Sequence, residues 1–434
     1  MECLVFEGIR VNAVRTSRGF LLVYSLRGDL IRRQNAISID DSVTEFCADS
    51  SISYPKTNLW NESTNCCSWG GVTCDIVTGH VISLDLSCSF LVGSFPENSS
   101  LFRLRGLKRL NLAYNHFNGS IPSGFSQLNL EEFLLNDNSL SGAIPSWLFT
   151  LPSLEYLDLS RNRLTGPINQ VQKPNSVQHV FLANNDIHGE IPSSFFDLAN
   201  LTRLDLSSNN LTGVIKSAML SKLQNLETVD LSNNKLLSLN SDSSVNSTFQ
   251  ELNILKFSSC NISRFPNFLR SGKSLRVPDL SYNKIQGSIF KWESEGWEQL
   301  TTLNLSHNLL TSFELFPGTN LEILDLRYNR LQGPLLAPPP SLRGFFMSKN
   351  QLTGKLPPWI CNMISLEILD LSRNNLSGLI PACLGYFSDS ISTINLQMNN
   401  FHGKIPDYFV EDNMLTNLAL NDNQLEGFIA TILD

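Results

Sequence analysis

The sequence predicts a right-handed α/β solenoid in which short parallel strands stack along one curved, concave face. Three observations predict it. The stretch Leu366 to Pro381, LEILDLSRNNLSGLIP, places apolar residues at Leu366, Leu369, Leu371, Leu376 and Ile380, which fits neither a helical period nor strict alternation. The same register returns fifteen times, at Val81, Leu107, Leu130, Leu154, Val177, Leu201, Leu226, Leu252, Leu275, Leu300, Leu321, Leu342, Leu366, Ile391 and Leu415, with 21 to 26 residues between starts. An asparagine follows the strand half in thirteen copies, from Asn115 to Asn423, and only Ser89 and Cys260 replace it.

The pattern LxxLxLxxNxLxGxIP is that of a leucine-rich repeat, and each of its positions has a mechanical task. Leu369 and Leu371 point inward from a strand, while Asp370 and Ser372 point out. Asn374 can satisfy backbone groups buried at the turn that follows. Gly378 permits a bend that a Cβ would hinder, and Pro381 closes the segment without needing an N–H partner. Five aliphatic side chains per turn, at about 1.5–3 kcal/mol each, supply ample burial. Length alone, 434 residues, suggests two or three domains. The repeats overrule that prior, because a solenoid grows by adding turns to one narrow core.

Three segments result: 1–40, which does not fit the rest; a cysteine-containing cap at 41–80; and the solenoid at 81–434. Residues 1–35 hold six arginines against Glu2, Glu7 and Asp29, so of the net charge of −8 the remainder carries −11. An acidic body argues against nucleic acid as a partner. The run Gly19 to Leu26 is too short to span a bilayer. Its upstream arginines resemble a secretory signal, but no small-residue cleavage site follows, and a displaced gene start is the favoured reading.

In the cap, the neighbours Cys66 and Cys67 cannot easily pair with each other. Cys47 and Cys74 flank them, so the expected bridges are Cys47–Cys66 and Cys67–Cys74, a staple over the first open turn. A zinc site is the competing reading, which no CxxC pair and no suitably spaced histidine supports. Cys88 and Cys3 have no obvious partner, and disulfides imply an oxidising compartment.

The run Trp60, Cys66, Cys67, Trp69, Gly71, Val72 and Cys74, followed by HVISLDLS and LxGxIP repeats, resembles the ectodomain of plant leucine-rich-repeat receptor-like proteins. The likeness extends from Cys47 to the last residue, although the helix that opens the family's cap has no clear counterpart. It implies extracellular or cell-surface recognition of pathogen-derived proteins or peptides on the concave face, with signalling through partner receptor kinases and no cofactor. It also implies further repeats, an island, a closing cap and a membrane helix beyond Asp434, so the chain is expected to be a truncated receptor or partial gene product attached to a membrane only through that missing part. A developmental peptide receptor fits the same pattern. A secreted inhibitor of microbial cell-wall enzymes shares the repeat and cap type, but with about ten repeats. Resemblance and spacing together suggest a Cys361–Cys383 bridge.

No catalytic constellation stands out. The six histidines are scattered along the chain, and no HExxH, phosphate loop or kinase signature is present. The recurring strand aspartates (Asp85, Asp158, Asp205, Asp230, Asp279, Asp325, Asp370) are read as a solvated face. Glycosylation sequons lie at Asn61, Asn98, Asn118, Asn200, Asn210, Asn246, Asn261, Asn304 and Asn375.

Aligning the repeats by column exposes two clusters rich in interface-forming residue types. Tyr156, His179 and Arg203 share one outward position in three consecutive turns, with Phe181 and Arg161 beside them. Tyr282, His307, Tyr328, Lys349 and Arg373 form a stripe over five turns, flanked by Arg327 and Phe346. Two irregularities are also expected: a Ser-rich loop after Asn240, and a flaw in the strand ladder at Pro278.

Overall fold

The computed structural model describes residues 47, 56–60, 64–97, 99–171, 176–240, 250–266, 268–269, 272–289, 297–313, 320–385, 390–405 and 415–426. The expected Ser-rich loop and the amino-terminal segment lie outside them. The chain divides into two compact units, Met1–Gly213 and Val214–Asp434.

The first unit opens with the cap. Its strand Val72–Cys74 runs antiparallel to Val81–Asp85. From there six strands, Val81–Asp85, Arg109–Asn111, Glu132–Leu134, Tyr156–Asp158, His179–Phe181 and Arg203–Asp205, pair in parallel, each with the next. Their central residues Leu84, Leu110, Phe133, Leu157, Val180 and Leu204 are buried, as the register demands. The half-turn after the asparagine is ordered as well. It forms a second parallel sheet from Val92–Ser94 to Asp186–Glu190, ending on Asn210–Lys216. Short 3-10 turns such as Ser123–Gln127, Ser146–Thr150 and Ser193–Asp197 close several of the circuits.

The second unit repeats the design. Nine parallel strands, Thr228–Asp230, Ile254–Lys256, Val277–Asp279, Thr302–Asn304, Ile323–Asp325, Gly344–Phe346, Ile368–Asp370, Thr393–Asn395 and Asn417–Ala419, pair in sequence order. Among the described residues, this series thus has six parallel strands in the first unit and nine in the second, one for each repeat start in the sequence.

The repeat asparagines do what the pattern requires. Asn374 Nδ2 donates to the carbonyls of Met347, Leu371 and Ser372 at 3.0, 3.1 and 3.2 Å, while its Oδ1 accepts from Leu352 N at 3.0 Å. One side chain thereby closes its own turn and ties it to the one before. Cys260, in the same place, has only a thiol to offer, 3.3 Å from Leu231 O and 3.6 Å from Ser258 O. Burial pushes that thiol up to about 12, so it stays protonated. Gly378 sits at φ +89°, where a Cβ would meet Lys355 Cγ at 2.8 Å.

Pro278 thins the ladder on one side. Val277–Asp279 pairs with Ile254–Lys256 at all three residues, but with Thr302–Asn304 only at Asp279↔Asn304. Residues of a parallel strand alternate between neighbours. The carbonyl of Arg276 accepts from Thr302 N, so position 278 faces the same strand, and Pro278 has no N–H to return.

The cap corrects one expected bridge. Cys47 pairs with Cys88, not with Cys66. Cys67 is joined to Cys74, and Cys66 is disulfide-bonded as well. Local spacing favoured a partner within the CC run. Cys88, however, lies in the first repeat just after the strand Val81–Asp85, so a bridge from Cys47 sews the cap to the solenoid across 41 residues. The sulfurs of Cys66, Cys67 and Cys74 lie within 4.8 Å of one another, and all three are in disulfides. Trp60 and Trp69 stack at 5.2 Å above this staple, with their indole N–H groups on Gly70 O and Thr64 Oγ1. Gly71 is required where the cap meets the first strand, because a Cβ there would stand 2.0 Å from Asp85 O. In the second unit, Cys361 bonds Cys383.

Candidate functional site

The residue just before the repeat asparagine has a left-handed backbone in turn after turn. Its φ is 53° at Tyr282, 55° at His307 and Tyr328, 53° at Lys349 and 54° at Arg373. Bulky residues reach this region at a cost of about 1–2 kcal/mol each. The return is a bond from each of their N–H groups to the next turn: Tyr282 to Ser306 O, His307 to Arg327 O, Tyr328 to Ser348 O, Lys349 to Ser372 O and Arg373 to Gln397 O, all at 2.8–3.0 Å. The repeat therefore fixes the backbone of this column whatever side chain occupies it.

On that rail the side chains stack. The rings of Tyr282 and His307 lie 4.0 Å apart at 10°, and those of His307 and Tyr328 lie 3.9 Å apart at 17°. Lys349 Nζ caps the column, 4.0 Å from the centre of the Tyr328 ring and bonded to its hydroxyl. Arg373 continues the line as an exposed cation. Beside it, Arg327 holds Asp325 at 2.6 Å and lies 4.8 Å from the Phe346 ring. Asp325 is only 7% exposed, so in this turn the expected solvated aspartate is instead covered by its arginine. The hydrogen bonds that Arg327 donates to the Asp325 carboxylate hold its guanidinium above the ordinary range.

Burial lowers the His307 pKa; Asp325 opposes this, and the Arg327 and Lys349 cations reinforce it. A depressed folded value means that His307 contributes stability above the ordinary imidazole range, and that this contribution is lost as pH falls through the folded value. We therefore expect the melting temperature of the wild type to drop more between pH 7.5 and pH 5 than that of His307→Phe. Scanning calorimetry of both proteins at the two values checks this, and parallel curves would refute it.

The first cluster gathers in the first unit. Tyr156, His179 and Arg203 are register partners, and the Tyr156 ring lies 5.1 Å from His179 and 5.4 Å from Phe181. His179 Nδ1 is 3.3 Å from Thr202 Oγ1. Arg161 lies in the left-handed column and pairs with Asp137 at 3.5 Å. Burial raises the pKa of Asp158 below this group, with Asp137 and Asp205 adding to it against the Ser160 hydrogen bonds.

Of the sequons, Asn118, Asn200, Asn210, Asn261 and Asn375 are exposed. Asn304 is half-buried on the strand face, its Oδ1 accepting from Ser306 N and Oγ. Asn61, Asn98 and Asn246 lie outside the described residues. Among the described residues no helix is long and apolar enough to cross a membrane.

The family models agree with this repeat geometry. Two described as leucine rich repeat match residues 129–187 and 175–236, and 106–128, 320–345, 341–363 and 365–387; the leucine rich repeat N-terminal domain matches 45–75. The chain is a leucine-rich-repeat protein related to plant receptor-like proteins. Receptor-like protein 7 of Arabidopsis thaliana is 39% identical over 172 residues, 38% of this chain and 17% of that protein. Receptor-like protein Cf-9 of Solanum pimpinellifolium is 50% identical over 99 residues, 22% and 12% respectively. The matched stretches thus span less than a fifth of these two relatives. The solved structure of PEPR1–AtPEP1 is similar at 25% identity and a TM-score of 0.51, covering 94% of this chain and 68% of that one.

Proposed function

We propose that this leucine-rich-repeat chain is the extracellular ligand-recognition region of a plant receptor-like protein, sensing pathogen-derived proteins or peptides in defence and signalling through partner kinases. The observation that carries this reading is the column Tyr282, His307, Tyr328, Lys349 and Arg373. Its members stand in equivalent places on five successive turns, outside the apolar core, and the backbone holds them there without any contribution from their side chains. Aromatic and cationic groups fixed on a rigid scaffold are the usual anchors of recognition, because little conformational freedom is lost when a partner arrives. The receptor-like proteins named above and the PEPR1–AtPEP1 likeness support a receptor role. The fold alone does not choose the ligand. Tyr156, His179, Phe181 and Arg203 offer a second contact surface, suited to the same ligand or to a co-receptor kinase.

The test is to replace Tyr282, Tyr328 and Arg373 with alanine together and measure binding to a panel of secreted pathogen proteins and peptides. Against a ligand that binds the wild type, affinity should fall at least about tenfold, equivalent to about 1.4 kcal/mol. Undiminished affinity would remove the column from the binding surface.

A further inference from the structure

The aromatic column ends abruptly at Tyr282. The His307 ring is covered on both faces, by Tyr282 at 4.0 Å and Tyr328 at 3.9 Å. Tyr328 is covered by His307 on one face and by the Lys349 ammonium on the other. Tyr282 is stacked on the His307 side, and the residue stays 55% exposed. One turn back stands Ser259, the equivalent member of the same column. Its φ is 53°, and its N–H donates to Ser281 O just as Tyr282 N–H donates to Ser306 O. A hydroxymethyl group therefore occupies a place that, over the next three turns, holds a planar ring. The neighbouring Lys256 does not fill the gap, because its ammonium is directed 3.7 Å toward Asp230 in the preceding turn.

We infer that the step between Ser259 and Tyr282 is a seat for one aromatic side chain of the partner, which stacks on the open face of Tyr282 and extends the column by one rung. This rests on the ligand-recognition reading above and adds to it the chemical class of the contacting group. The two stacks already present show that the turn-to-turn rise brings planar rings of neighbouring rungs to 3.9–4.0 Å, a spacing that suits stacked rings. They also show which kind of ring the column takes, since the group lying on Tyr282 is the planar imidazole of His307. Ser259 sets the specificity by being small.

Saturation-transfer NMR of the full chain with N-acetyl-tryptophanamide tests the seat without needing the natural ligand. Transfer to the indole protons should fall at least fivefold in Tyr282→Ala and in Ser259→Trp, whose own ring fills the gap. Tyr156→Ala, in the other cluster, should leave it unchanged. Ser259→Asn suits a positive φ and stays short, so it should keep most of the signal; this separates occupation of the seat from loss of the fold. Equal transfer in wild type, Tyr282→Ala and Ser259→Trp would overturn the inference, as would stronger transfer to N-acetyl-argininamide than to the indole. If the probe binds as described while the triple alanine variant still binds its protein ligand normally, the seat stands and the proposed function of the column fails.

Discussion

Asn308→Ala should lower the stability of the second unit by about 4 kcal/mol, measured as the shift of its urea or thermal transition. Asn308 is 4% exposed. Its Nδ2 donates to Leu280 O at 2.9 Å, Leu305 O at 3.1 Å and Ser306 O at 3.2 Å, and its Oδ1 accepts from Ile285 N at 2.9 Å. Alanine leaves the buried Ile285 N–H unpaired and takes one donor from each of three carbonyls, since Leu280 O, Leu305 O and Ser306 O keep bonds from Asn283 Nδ2, Asn329 Nδ2 and Tyr282 N. A buried polar group left unpaired costs about 1–3 kcal/mol, and each further hydrogen bond lost about 0.5–1.5 kcal/mol. Asn308→Asp separates hydrogen bonding from size, because the carboxylate can still accept from Ile285 N but cannot donate to the carbonyls. It should be at least as damaging at neutral pH, since a buried charge is added. A loss below about 1 kcal/mol in Asn308→Ala would mean that water replaces the side chain and that the asparagine column is not what locks successive turns. Cys260 shows that one rung can do with less, since its thiol reaches only the carbonyls.

Much of this arrangement was legible in the sequence, for a physical reason. The asparagine can be read because no other side chain both donates to several carbonyls and accepts from an amide in so small a volume. The inward leucines can be read because a strand alternates faces. Pro278 was legible in the same way, since a missing N–H leaves a gap wherever the ladder needs it. The bridge from Cys47 to Cys88 was not, because sequence proximity favoured the CC run and nothing local points forty residues on. The left-handed column was also invisible. Tyr282, His307, Tyr328, Lys349 and Arg373 are not residues that announce a positive φ, and the conformation is imposed by the bonds to the next turn. Their alignment could be read from the register; their stacking could not, because it depends on the rise between turns.

Phe125→Ala is expected to be as costly in the first unit, by about 3–5 kcal/mol, the usual range for emptying a phenylalanine site in a core. Phe125 is fully buried. Its ring lies 5.3 Å from Phe95, 4.9 Å from Phe102 and 4.9 Å from Phe133, so one side chain joins residues from the first three repeats. The site cannot easily collapse, since Phe102 already lies against Gly124, where even a Cβ would come within 2.2 Å of its ring. Phe125→Leu keeps most of the volume and should cost less than half as much, which distinguishes a cavity from the loss of a specific ring contact. Because each repeat of a solenoid is stabilised by its neighbours, the defect should spread along the stack. Amide exchange should therefore quicken first in the strands Arg109–Asn111 and Glu132–Leu134, ahead of His179–Phe181. Uniform acceleration along Val81 to Asp205 would show that these turns unfold as one block, and that the phenylalanine cluster is not the local joint.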